Sequence, residues 1–68
     1  MIIFQQVGAF YECIGPDAAM VADILDIRCT QLCDGRKICG FPVWGSSRLL
    51  ARLDYAGIVY RVENEGDL

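Results

Sequence analysis

The stretch VGAFYECIGPDAAMVADILDI (residues 7–27) decides the fold, because within it the pattern of a strand changes to that of a helix. Residues 2–7 are short and β-rich, and they predict a strand that residues 10–14 extend, with Gly8 as a bulge or a point of close approach. A helix follows, with Gly15 as N-cap and Pro16 at its first position. Its apolar residues recur at helical spacing and form one stripe: Ala18, Val21, Ala22 and Leu25.

The next segment, IRCTQLCDGRKICGF (residues 27–41), predicts two strands around the turn residues Asp34 and Gly35. Glycine tolerates the positive φ that tight hairpin turns require, so this dipeptide is a strong turn signal. Gly40 and Pro42 are expected to end the second of these strands.

The segment SSRLLARLDYAG (residues 46–57) predicts a second helix, with Ser46 or Ser47 as its cap and Gly57 at its end. Its buried side is expected to consist of Leu49, Leu50 and Leu53. Residues 58–63 then alternate as a last strand, with Ile58, Tyr60 and Val62 on one face.

These elements predict an α+β fold, in which a small mixed β-sheet carries two helices packed on one face. The length allows one domain, which we assign to residues 1–64, and residues 65–68 are expected to be a frayed polar tail. The order of the strands does not follow from the sequence.

Composition narrows the classes of function. The net charge is −3, from six Lys and Arg against nine Asp and Glu, so charge alone argues against autonomous nucleic-acid binding. We predict a cytoplasmic protein without a membrane partner, since there is neither a long apolar run nor a signal peptide. Four cysteines at uneven spacing and the absence of histidine predict no metal site and no cofactor; the thiols are expected to be small buried groups.

The sequence also argues against an enzyme. It contains no nucleotide-binding P-loop, and without histidine it has no histidine base for a serine or cysteine nucleophile. Any ATPase activity would therefore belong to another domain or chain.

Glu12 poses a problem for the simplest interpretation of the opening stretch. On a strand, Phe10 and Glu12 share one face and Tyr11 points to the other. Phenylalanines are mostly buried, but a buried Phe10 would take the Glu12 carboxylate with it, which is costly without a partner. If Phe10 is exposed instead, the pair offers an aromatic plane and a hydrogen-bond acceptor, which suits a nucleobase.

Ordered motifs along nearly the whole chain resemble those of a known family. Residues 8–12, GAFYE, are similar to a strand end that reads G-D-F-Y-E in that family, and GFP at residues 40–42 is similar to its G-[IF]-P. The remaining matches are Asp17, Ala18, Ala22, Leu25, Ile27 and Thr30 in and after the first helix, Leu50, Leu53 and Gly57 in the second, and Glu63-Asn64 in the last strand. The chain thus resembles the N-terminal mismatch-recognition domain, domain I, of the MutS family of DNA mismatch repair proteins.

This resemblance implies a role for two residues. The matching phenylalanine of MutS proteins wedges into the minor groove and stacks on a mispaired base, and the glutamate hydrogen-bonds that base; here these are Phe10 and Glu12. The expected partners are mismatched or distorted double-stranded DNA, bound weakly by the chain alone, and other MutS-type domains or chains. We add Arg36 and Lys37 as predicted phosphate contacts.

An alternative interpretation rests on departures from the family pattern. Gln6 and Ala9 replace a usual arginine and acidic residue, and Val43-Trp44 stands where the family has Y-H. A stand-alone relative could have kept the fold as a protein-interaction module without DNA binding. Its homodimer surface would then include the apolar residues Phe41, Val43 and Trp44.

Overall fold

The computed structural model describes residues 1–64, and the predicted polar tail lies outside the described residues. Seven elements follow in chain order: β1 (Ile2–Val7), β2 (Phe10–Ile14), α1 (Asp17–Leu25), β3 (Cys29–Gln31), β4 (Lys37–Pro42), α2 (Ser46–Tyr55) and β5 (Tyr60–Asn64). The strands form one mixed sheet in the order β3-β4-β2-β1-β5, in which only β1 and β5 are parallel. The small α+β fold that the sequence predicts is therefore confirmed.

One face of the sheet carries the core. Alternate residues of the strands turn towards the helices, and α1 packs over β2 and β4 and contacts α2. The stripe predicted for α1 is the buried one, and the buried apolar residues are Ile2, Phe4, Cys13, Ala18, Val21, Ala22, Leu25, Cys39, Phe41 and Leu53. Arg52 joins the two helices, since its guanidinium donates a hydrogen bond of 3.2 Å to the Leu25 carbonyl at the end of α1.

Four aromatic rings lie on this covered face, on the neighbouring strands β4, β2, β1 and β5. Phe41 meets Tyr11 and Phe4 edge to face, with centroids 5.8 Å and 5.4 Å apart, and Phe4 meets Tyr60 at 6.1 Å. Each such pair is worth about 0.5–1.5 kcal/mol beyond the area that it buries. These contacts therefore stabilise the packing of four strands of the sheet below the helices.

The sequence prediction for the first strand was wrong in one respect. Residues 10–14 do not extend β1; they form a separate antiparallel strand, with Val7 opposite Phe10 and a two-residue turn at Gly8-Ala9. Gly8 has a φ of 60° and Ala9 keeps a negative φ, which is the pattern of a type II′ hairpin turn. That turn requires glycine at its first position only, so alanine is accepted at the second.

Four local features also differ from the prediction. Helix α1 begins one residue later than predicted, with Pro16 as its N-cap, and α2 is preceded by Gly45 rather than capped by a serine side chain. The turn at Asp34-Gly35 is part of a longer connection, residues 32–36. Gly40 lies inside β4 and does not end it, because the backbone of β2 comes close to it there.

Candidate nucleic-acid interface

The second face of the sheet is open, and the hairpin places Phe10 at its end. Phe10 follows the Gly8-Ala9 turn directly and is 49% exposed, whereas the next residue, Tyr11, packs on Phe41 in the core. Strand alternation thus separates two neighbouring aromatic residues onto opposite faces. The Phe10 ring is available at the surface.

Glu12 lies on the same open face as Phe10, one alternation further along β2, and is half-buried. Its neighbours across the strands are Gln5 on β1 and Gly40 on β4. A Cβ atom at Gly40 would lie 3.4 Å from Glu12 Cγ and 3.0 Å from the Tyr11 carbonyl oxygen. Because Gly40 has no side chain, the Glu12 side chain has space beside it.

A shallow depression of about 490 Å³ lies on the open face beside Phe10. Glu12 borders it together with Ile3, Gln5, Val7, Ile14, Arg36 and Glu63. Its lining mixes apolar side chains with carboxylates and one guanidinium. Glu12 and Val7, the residue opposite Phe10, thus both border this depression.

The loop before α2 joins the hairpin at the Phe10 end of the sheet. The Val43 N–H donates a hydrogen bond of 2.8 Å to the Ala9 carbonyl, and Pro42 lies opposite Phe10 in the sheet. Trp44 follows in this loop and is 90% exposed. Two exposed aromatic side chains therefore belong to adjacent segments at one end of the molecule.

The sequence that forms this arrangement matches a known protein family. The family model described as MutS domain I matches residues 1–64. The chain belongs to the MutS domain I family. Two curated relatives, both described as DNA mismatch repair protein MutS and both from Leptospira interrogans serogroup Icterohaemorrhagiae (serovar copenhageni, strain Fiocruz L1-130, and serovar Lai, strain 56601), are each 36% identical to it over 56 residues. Each match covers 82% of this chain and 7% of the relative, so the chain spans a small part of the length of those proteins.

The basic residues predicted from the sequence lie at the other end of this MutS domain I sheet. Lys37 begins β4, and the five steps from Pro42 to Lys37 span roughly 17 Å. Arg36 is paired with Asp34, with Nε and Oδ2 2.6 Å apart. The Arg36 backbone N–H and then its guanidinium hold the pKa of the Asp34 carboxyl below its usual value. The structure therefore does not bring these two cations together with Phe10.

Two further observations were missed or misjudged at the sequence level. Arg48, the third residue of α2, was not among the predicted contacts and is exposed at the helix end that follows Trp44. Phe41 is 2% exposed and packs between Phe4 and Tyr11, so it is not part of the predicted interaction surface. Val43 is half-buried, and of the three residues in that prediction only Trp44 is fully at the surface.

Three of the four cysteines belong to the covered face, whereas Cys33 is exposed, so the prediction of buried thiols was wrong for Cys33. Cys13 and Cys39 are buried opposite each other, and Cys29 lies opposite Cys39 on the next strand. The hydrogen bond with Cys13 and burial raise the pKa of the Cys39 thiol, so it stays protonated. Within residues 1–64 no cluster of His, Cys, Asp or Glu is arranged to hold a metal ion.

Among the elements that the structure describes, no helix is long and apolar enough to cross a membrane.

Proposed function

We propose that this chain is a DNA mismatch-recognition module, in which Phe10 stacks on a mispaired base and Glu12 accepts a hydrogen bond from it. The observation that carries the proposal is the exposed Phe10 ring beside the half-buried Glu12 on the open face of the hairpin. The family match and the name of the two relatives support it.

The physical roles of the two residues differ. An apolar wedge unstacks a base step at a cost of a few kcal/mol, and a mismatched step costs less to open than a paired one. Phe10 therefore favours sites where the duplex is already weak. The Glu12 carboxylate is repelled by phosphates and is tolerated only where a base N–H or a proton meets it, so it raises specificity rather than affinity.

Affinity must then come largely from other groups. With a net charge of −3 the chain gains little from counterion release, and Arg36 and Lys37 are our proposed phosphate contacts. At 3.4 Å per base step, their distance of roughly 17 Å from the Phe10 end corresponds to about five steps of a duplex. We propose that other MutS-type domains or chains supply the remaining hold on the DNA. In this function the chain is a cytoplasmic binding module, with neither a cofactor nor catalytic chemistry of its own.

A second candidate is a protein-interaction module that no longer binds DNA and dimerises through its surface. The specific observation that favours it is the nearly full exposure of Trp44 next to the half-buried Val43. Phe41 has no part in such a surface because its ring is in the core.

The test is a binding titration with fluorescently labelled mismatched and matched duplexes at low salt. It is run on the chain alone and with a MutS protein whose own first domain has been removed. We expect tighter binding to the mismatch, and we expect Phe10→Ala to bring the two affinities close together. The matched control is Ile14→Ala, which removes a side chain of similar exposure (47%) from the other end of the same strand and should keep the preference.

Equal affinity for both duplexes in both arms would contradict mismatch recognition. A mismatch preference that survives Phe10→Ala would contradict the role of the wedge. Self-association of the chain together with the absence of any DNA binding would favour the second candidate.

A further inference from the structure

Trp44 is the single tryptophan of the chain, and it is the most exposed large aromatic side chain near the hairpin. Tryptophan is highly buried on average, because leaving its ring in water forfeits a large hydrophobic gain. Among the large apolar and aromatic side chains of the described residues, only Tyr55 is similarly exposed, at 96%; it lies at the far end of α2 and carries a hydroxyl for water.

The backbone that carries Trp44 is fixed on both sides. The Ser46 N–H donates to the Val43 carbonyl at 3.1 Å, and Gly45 has φ 79° and ψ 8°, which together make a type II turn with Trp44 at its first central position. The bond from the Val43 N–H to Ala9 anchors the start of this turn on the hairpin, and the buried Ser46 anchors its end. A rigid turn presents the ring with little backbone entropy left to lose on binding.

The same geometry limits the distance between Trp44 and Phe10. Phe10 is paired with Pro42, whose Cα lies about 5 Å away across the strands, and Trp44 is two residues further at up to about 6.6 Å. The two Cα atoms are therefore within roughly 12 Å, which a duplex covers in about three base steps of 3.4 Å.

We propose that Trp44 makes a second aromatic contact with DNA, against sugars or opened base edges of the minor groove within about three base pairs of the wedge. This inference rests on the proposed function and extends it. A wedge bends the duplex away from itself and widens the minor groove, which opens apolar sugar and base surface on either side of the kink. A neutral indole can cover that surface without charge repulsion, which suits a protein of net charge −3.

This contact predicts a distinct thermodynamic signature. Phosphate contacts steepen the dependence of affinity on salt, whereas stacking on bases does not release counterions. Trp44→Ala is expected to weaken binding to the mismatched duplex about fivefold to a hundredfold, the range that loss of one stacked base implies, without changing the salt slope. Trp44→Phe should recover part of the loss, and Tyr55→Ala, which removes an equally exposed ring elsewhere, should have no effect.

The decisive measurement uses the fluorescence of Trp44 itself, which no other tryptophan obscures. We expect the mismatched duplex to quench and shift this emission in the full chain and to protect it from a soluble quencher. If Phe10→Ala removes mismatch preference while Trp44→Ala leaves affinity unchanged and DNA leaves the emission unchanged, the inference is overturned and the proposed function stands. If the unsubstituted chain shows no preference for the mismatched duplex, both this inference and the proposed function are overturned. Emission that responds to protein concentration but not to DNA would assign Trp44 to an interface between copies of the chain.

Discussion

The two faces of the sheet use the same strands for opposite purposes. On the covered face, Phe4, Tyr11 and Phe41 join in a row of edge-to-face rings beneath the helices. On the open face, Phe10 and Glu12 come from the same strand as Tyr11 and yet reach the surface. One residue of displacement along a strand thus decides whether an aromatic ring stabilises the fold or is free to bind.

The strongest way to break this comparison is to remove a ring from the covered face. Phe41→Ala leaves a cavity at the centre of the aromatic row and should lower the free energy of unfolding by about 3–5 kcal/mol. A domain of this length has roughly 3–10 kcal/mol in total, so much of the protein is expected to be unfolded. Urea unfolding followed by circular dichroism measures the change.

The matched control for this prediction is Phe10→Ala, which removes the same ring from the open face. Because Phe10 is already half in water, its loss should cost less than about 1 kcal/mol. Equal destabilisation by the two substitutions would mean that both faces belong to the core, and the distinction drawn between them would fail.

A smaller effect is expected on the open face at Gly40, which lies opposite Glu12. In Gly40→Ala the new methyl group would lie 3.0 Å from the Tyr11 carbonyl oxygen and 3.4 Å from Glu12 Cγ. We expect a loss of about 1–3 kcal/mol from overpacking, together with a reduced preference for mismatched DNA because Glu12 is displaced. Urea unfolding and the duplex titration measure the two effects separately.

Gly57→Ala provides the control for steric displacement. Gly57 has a φ of 78°, and a Cβ there would have no neighbour within 4 Å. The substitution should cost about 1–2 kcal/mol through backbone strain while leaving mismatch preference intact. If Gly40→Ala lowers the free energy of unfolding but not the preference for mismatched DNA, the space beside Gly40 does not determine the position of Glu12.

The mildest test leaves the sequence unchanged and compares its thiols. Cys33 is exposed, whereas Cys13 and Cys39 lie below the helices. Alkylation requires the thiolate, and the raised pKa of Cys39 opposes its formation. Iodoacetamide should therefore modify Cys33 first and reach Cys13 and Cys39 only as the domain unfolds, as mass spectrometry of the labelled peptides can show. Rapid labelling of Cys13 in the folded protein would indicate that the covered face opens readily.

The division into faces could be predicted from the sequence because it depends on local alternation. The pattern of residues 10–12 assigned Tyr11 to one side and Phe10 with Glu12 to the other, and helical spacing identified the buried stripe of α1. The surface position predicted for Phe41 was wrong, because it rested on apolar character alone, which does not say which side of β4 the helices cover.

Long-range pairing could not be predicted in this way. The type II′ turn at Gly8 depends on a single glycine between two β-rich runs, which is equally compatible with a bulge. The approach of Val43 to Ala9, which brings Trp44 towards Phe10, is a contact between residues far apart in the chain and leaves no local signal. The proximity of Trp44 to Phe10 was therefore apparent only in the folded structure.

The pairing of β1 with β5 has a consequence for how the domain folds. Ile2 lies opposite Tyr60, so the first and last strands must meet across almost the whole chain. Closing this loop rather than the five-residue separation of Gln6 and Tyr11 costs roughly 2 kcal/mol more in chain entropy, at about 0.6 kcal/mol for each doubling of length. The β1–β2 hairpin is therefore expected to form early and β5 to dock late. Phe10 and Glu12 would then be aligned on the hairpin before β5 pairs with the edge of β1.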